Sequence, residues 1–134
     1  MTLRISKDSI DLGLVTDNID AMTQFYRDVL GLPLEAVLQM PGGMTMTRLV
    51  CGTTIIKLVT FETPPAAQNP AGGLSGGRGI RYLTITVDNL EEAVRACEAA
   101  GAPVPMPIRQ ARPGVNIAMI EDPDGNWVEL LQHV

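Results

Sequence analysis

The chain says the same thing twice. Leu14-Val15-Thr16-Asp17-Asn18-Ile19 opens one half, and Ile85-Thr86-Val87-Asp88-Asn89-Leu90 opens the other 71 residues later. Each stretch reads as a strand, an Asp-Asn turn and a helix start. Within 134 residues that leaves room for two copies of one supersecondary unit and the connection between them.

The rest of each copy follows the same order. Residues 10–15 have a strand's composition. Asn18 then stands where an N-cap belongs, with Ile19, Met22, Tyr26 and Val29 at helical spacing and Gly31 and Pro33 stopping the helix. Strands are expected at 34–40, 45–50 and 54–60, joined by Pro41-Gly42-Gly43 and Gly52-Thr53. In the second copy residues 80–87 read as a strand. Asn89 is the expected cap, with Glu92 at the capping-box position and Leu90, Val94 and Cys97 on the buried stripe. Pro105 and Pro107 make 104–109 an edge strand, 115–120 is the next, and Asp122-Pro123-Asp124-Gly125-Asn126 turns into a last strand over 127–131. The reading is an α+β chain of tandem βαβββ modules, about 8–62 and 80–134, forming a single domain over 1–134. The connection, 63–79, is rich in Pro, Ala and Gly. It carries no Gly-Lys-Ser/Thr followed by a helix, so it is not a phosphate-binding loop. A plain linker and a lid over a pocket both fit its length.

Composition narrows the function classes. The net charge is −5 and no basic cluster occurs, which removes the electrostatic footprint of a nucleic-acid binder. No apolar run approaches the roughly 18 residues of a membrane span, and the start of the chain does not read as a signal peptide. A cytoplasmic protein is expected. Cys51 and Cys97 fall in apolar surroundings and read as buried, reduced thiols. The one histidine, His133, is the penultimate residue. That is a poor position for a catalytic triad or for an iron site built on two histidines.

Alternation along the strands sorts the remaining candidates. Leu12 and Leu14, Ile56 and Leu58, Leu83 and Ile85, and Val128 and Leu130 form aliphatic faces for the helices. The opposite faces carry Asp11, Lys57, Tyr82, Thr84, Trp127 and Glu129. Two carboxylates, an ammonium, a phenol and an indole on a partly apolar surface describe a pocket for a small organic molecule. Arg48, Gln39 and Asn116 lie on or near the later strands and join Trp127 and Thr84 as candidate substrate contacts. A salt-bridged sheet face is the plainer alternative.

The double βαβββ order, the helix end Phe25-Tyr26-Arg27-Asp28-Val29-Leu30-Gly31-Leu32 and the ending Asp122-Pro123-Asp124-Gly125-Asn126-Trp127-Val128-Glu129-Leu130 resemble the vicinal oxygen chelate superfamily. This is the glyoxalase, bleomycin-resistance and extradiol-dioxygenase group. The resemblance runs from about residue 10 to 131. It implies a cupped, half-open eight-stranded mixed sheet with helices on the outer face, and a homodimer. In metal-bearing members one ligand comes from each of the first, fourth, fifth and eighth strands, typically His or Gln, Glu, His and Glu. Carried onto this chain, those positions fall on Asp11, Lys57, Tyr82 and Glu129, and only Glu129 agrees. An ammonium has donors and no acceptor and repels a divalent ion. A phenol ligates only as phenolate.

Lys57 therefore reads as standing in for the cation, with no metal cofactor. Lys57, Glu129, Asp11 and Tyr82 form an acid–base set: the ammonium polarises a carbonyl or stabilises an enolate while a carboxylate moves the proton. Three classes follow. The first is a metal-independent lyase, isomerase or cyclase. The second is a non-catalytic drug- or metabolite-binding protein of the bleomycin-resistance kind. The third is a divalent-metal lyase or dioxygenase. Only 5 aromatic residues are present (2 Tyr, 2 Phe, 1 Trp), too few to favour stacking of a large planar drug.

Overall fold

A computed structural model describes residues 2–134; Met1, the first residue of the stretch read for a leader, lies outside them. The element order is β1 (Leu12–Val15), α1 (Ile19–Thr23) running on as a π-helical segment (Gln24–Val29), β2 (Leu34–Met40), β3 (Met44–Cys51) and β4 (Thr54–Phe61). After a 3-10 turn (Gly73–Ser75) come β5 (Tyr82–Thr86), α2 (Leu90–Ala99), β6 (Met106–Arg112), β7 (Val115–Glu121) and β8 (Trp127–His133). The chain divides between Ala66 and Ala67 into two compact units.

Each unit is one βαβββ module closed into a four-stranded mixed sheet. The orders are β1-β4-β3-β2 and β5-β8-β7-β6. In both, the first strand runs parallel to the last and the other neighbours are antiparallel. Parallel pairing needs a crossover, and the helix after the first strand begins it. The expected α+β class and tandem order are the ones observed.

In the first unit the helix buries Met22, Phe25 and Tyr26 completely or nearly so. The sheet supplies Leu49, Ile56 and Leu58, as period-two alternation requires. Phe25 and Tyr26 meet edge to face with centroids 4.9 Å apart. In the second unit Leu90, Val94 and Cys97 of α2 and Ala118, Ile120, Val128 and Leu130 of the sheet are buried. Burying one such large side chain is worth about 1.5–3 kcal/mol.

Several local expectations change. The first helix is not α-helical throughout. Its second half widens, with the Leu30 N–H reaching back to the Phe25 carbonyl at 3.0 Å, a register that lets the adjacent Phe25 and Tyr26 both turn inward. Neither Asn18 nor Asn89 caps with its side chain. The Asn18 N–H donates to Thr16 Oγ1 at 2.9 Å instead. At α2 the cap is supplied from β8: the Leu90 N–H donates to Gln132 Oε1, and Gln132 Nε2 donates to the Asp88 carbonyl, both at 3.0 Å. A long-range amide has taken the role that local sequence assigned to Asn89 and Glu92. The last strand extends to His133, which is exposed and pairs with Val115. Among the described residues no helix is long and apolar enough to cross a membrane.

Candidate functional site

The first unit gathers three of the expected side chains. β4 carries Lys57 on the face away from the helix, and the parallel register sets Gly13 of β1 directly beside it. A Cβ built on Gly13 meets nothing within 4 Å, so the space next to Lys57 is open. On the other side the antiparallel register sets Arg48 of β3 directly opposite Lys57. Asp11 lies one residue ahead of β1 rather than inside it. Its Oδ1 accepts the Ile55 N–H at 2.8 Å and pairs with the Lys7 ammonium, while Oδ2 stands 3.9 Å from Lys57 Nζ. Asp11 thus continues the β1–β4 ladder through its side chain. The hydrogen bond from Lys7, then the one from the Ile55 N–H, hold its carboxyl below the usual carboxylate range against the opposing effect of desolvation.

Arg48 is held from the edge of the sheet. Its Nε donates to Glu35 Oε1 at 2.8 Å, and Nη1 lies 3.8 Å from Met46 Sδ. Apolar residues continue this face on both sides of the charges. Val59 pairs with Met46 and Ile55 with Val50 across β4 and β3.

The second unit gathers four. Thr84 of β5 pairs with Glu129 of β8, and Tyr82 with Trp127. Thr84 Oγ1 donates to Glu129 Oε1 at 3.0 Å. Tyr82 is half exposed and Trp127 and Glu129 are partly buried. The connection is no slack tether here. Arg81 gathers it with three donations: Nε to the Gly73 carbonyl at 2.9 Å, Nη2 to the Pro70 carbonyl at 2.8 Å, and Nη1 to Asn69 Oδ1 at 3.4 Å. Asn69 Nδ2 also donates to Asn126 Oδ1 at 2.9 Å. The result seats Gly73 on the Trp127 indole so closely that an added Cβ would stand 2.2 Å from Cζ2.

Two expected contacts point elsewhere. Gln39 pairs with Thr45, whose partner on β4 is Thr60, so it lies on the helix side of its sheet, opposite Lys57 and Arg48. Its Oε1 accepts from Thr45 Oγ1 at 3.0 Å. Asn116 pairs with Gln132, on the helix side of β8 and opposite Glu129. The composition of a strand shows its period, and the register decides its face: β2 is an edge strand with a shift between Leu34 and Ala36, while β7 pairs with β8 without a shift and sets Asn116 beside Gln132. Sequence reading also missed Lys7, Glu35, Arg81 and Gly73. Each acts through a partner far along the chain or in an irregular segment, where neither periodicity nor a motif marks it.

The donor chemistry does not fit the divalent ion that the resemblance implies. Lys57 offers only N–H donors at one of the four strand positions. Asp11 Oδ1 is occupied by Lys7 and the Ile55 N–H, and its Oδ2 faces the Lys57 ammonium at 3.9 Å. Among the described residues no three His, Cys, Asp or Glu side chains stand together as a ligand set.

Comparison with known proteins bears on the fold and the lineage. Residues 9–130 match the family model described as the Glyoxalase/Bleomycin resistance protein/Dioxygenase superfamily. A glyoxalase family protein from Bacillus cereus superimposes with a TM-score of 0.83 at 18% identity, over 98% of this chain and 97% of that one. Lactoylglutathione lyase from Agrobacterium tumefaciens is 27% identical, with a TM-score of 0.63 over 92% of each chain. The trypanothione-dependent glyoxalase I of Leishmania major gives 0.68 at 20% identity, over 91% of this chain and 84% of that one.

Proposed function

The chain belongs to the glyoxalase, bleomycin resistance protein and dioxygenase superfamily, and from that premise we propose that it binds a small organic molecule on the open sheet face of its first unit, at Lys57, and moves a proton on it without a divalent metal. The observation that carries this reading is the placement of Lys57. Its ammonium projects beside the open space at Gly13, 3.9 Å from Asp11. A fixed positive charge there does what a Lewis acid would do for a carbonyl: it draws electron density onto oxygen and stabilises the enolate left when a neighbouring carbon loses its proton.

A carboxylate does the remaining work. Asp11 is held charged by the hydrogen bonds from Lys7 and the Ile55 N–H to its Oδ1. Asp11 Oδ2, 3.9 Å from Lys57 Nζ, is the carboxylate oxygen placed beside the ammonium to take the proton; in the second unit Thr84 engages one oxygen of Glu129. A proton passes from substrate carbon to a carboxylate oxygen and returns to the product, so no electrons are exchanged with a cofactor. The 27% identity to a protein named lactoylglutathione lyase is in keeping with proton-transfer chemistry on a related scaffold.

The test is solvent exchange. A panel of α-hydroxy ketones and 2-oxo acids is incubated in deuterated buffer with EDTA-treated protein, and C–H loss is followed by proton NMR. Exchange that persists in EDTA and falls at least about 100-fold in both Lys57→Met and Asp11→Asn supports the proposal; general acid–base groups contribute about 10²–10⁴-fold. Exchange abolished by EDTA and restored by a divalent ion overturns it. So does full exchange in Lys57→Met.

A further inference from the structure

Two cations face each other across the β3–β4 ladder, and their donors are not used up. Arg48 and Lys57 are direct partners in an antiparallel pair, with side chains only 23% and 31% exposed. Like charges placed directly opposite each other on a sheet destabilise it, and partial burial sharpens the repulsion. The carboxylates that offset them approach from outside the pair. Glu35, on β2, takes Arg48 Nε. Asp11, ahead of β1, reaches Lys57 only at 3.9 Å, beyond hydrogen-bond distance. The Arg48 Nη2 group and the Lys57 ammonium therefore keep N–H donors without a hydrogen-bonding partner among the described residues.

The surroundings of that pair are apolar. Toward the end of β4 the same face runs through Val59 with Met46 opposite it, then Phe61 with Met44 opposite. Val59 is buried and the two methionines are partly exposed. Methionine thioethers conform to varied apolar shapes. Beside Lys57, Gly13 leaves space that any other residue would fill. A charged head site thus opens onto an apolar strip along one sheet face.

We propose that this face selects an organic carboxylate with an apolar body, its carboxylate received between Arg48 and Lys57 and its hydrocarbon part laid over Met46 and Met44. The inference rests on the small-molecule reading above and names its substrate class. Arg48 is the specificity residue. A guanidinium offers planar paired donors to a carboxylate, and here Glu35 and Met46 fix its plane. Net acidity of the whole chain does not decide ligand charge, because the local count at the face does. Arg48 and Lys57 are the charged side chains that β3 and β4 set on this face.

Isothermal titration with four probes tests the assignment: octanoate, octanol, octylamine and acetate. Octanoate is expected to bind at least about tenfold more tightly than each of the other three. Arg48→Gln and Lys57→Met are each expected to weaken octanoate about 10- to 100-fold, in line with charged hydrogen bonds, while leaving octanol binding unchanged. Retained octanol binding shows that a variant is folded; thermal melting supplies the same control. Octylamine binding as tightly as octanoate, octanoate affinity unchanged in Arg48→Gln, or no binding of octanoate at all overturns the proposal. These outcomes are separable from failure of the proton-transfer reading. Carboxylate selectivity with no solvent exchange sinks only the latter, and exchange on neutral ketones without carboxylate selectivity sinks only the former.

Discussion

Replacing Gly73 by Ala sets the loop against the indole it covers. The φ at Gly73 is +62°, so an alanine pays the left-handed conformation, roughly 1–2 kcal/mol. Its Cβ would also stand 2.2 Å from Trp127 Cζ2 and 2.3 Å from Cε2, where carbon atoms settle at about 3.5–4.0 Å. Either the ring or the loop must move by more than an ångström. Overpacking of that kind costs typically 1–3 kcal/mol, which brings the total to about 2–5 kcal/mol. Gly52 is the matched control. Its φ is +60° and an added Cβ meets nothing within 4 Å, so Gly52→Ala carries the backbone cost alone. Both variants are melted by circular dichroism, and Trp127 fluorescence reports the loop directly because it is the only tryptophan. The expectation is a red-shifted emission in Gly73→Ala and none in Gly52→Ala, with the former melting lower. At about 3–4 °C per kcal/mol for a chain of this length, the gap between them is about 3–12 °C. Equal melting temperatures and unshifted emission in both would refute the close packing of the loop on Trp127.

Further outcomes follow from the same geometry. Arg81→Met removes three donations to the loop and is expected to red-shift Trp127 emission as Gly73→Ala does; unchanged emission and unchanged proteolytic resistance of residues 69–79 would contradict the stapling role. Gln132→Leu strips the cap from α2 and should cost about 1 kcal/mol, read as a lowered urea midpoint; a Gln132→Leu midpoint equal to wild type would return the cap to Asn89. Asp11 titrates below the ordinary carboxylate range, so its tether is intact above about pH 4 and is lost as pH falls through its lowered folded value. Carbon-detected NMR should place its midpoint below that of a model peptide, and Lys7→Ala should raise it. Burial pushes both thiols up, with Glu98 adding to the effect at Cys97. Alkylation by iodoacetamide at pH 7.5 should be slow for both in the native state and fast in urea.

Much of the fold is legible in the sequence, for a physical reason. The repeat and the period-two faces report directly on burial, and burial of Ile56, Leu58, Val128 and Leu130 is what the sheets need. The Asp122–Asn126 turn is readable too, because Asp122 Oδ1 accepts the N–H groups of Asp124 and Asn126 within its own loop. Long-range partners are not readable. Gln132 caps a helix 42 residues upstream. Glu35 finds Arg48 through a sheet register that includes a bulge. Alternation alone sets Lys57, Thr84 and Glu129 on the faces away from the helices, and the register with Lys57 adds Arg48. Gln39 and Asn116 were assigned by strand and not by face, and their registers with Thr45 and Gln132 set them on the helix sides of the sheets. The weight of Gly13 and Gly73 was invisible, since the absence of a side chain matters only once its neighbours are known.

We propose that the ammonium of Lys57 stands where the family resemblance implies a divalent ion. Elemental analysis of purified wild-type protein by plasma mass spectrometry, after dialysis without chelator, tests it most directly. The account predicts far less than one equivalent of any transition metal or zinc per chain. A single metal ion per chain, lost in Glu129→Gln and retained through gel filtration, would contradict it.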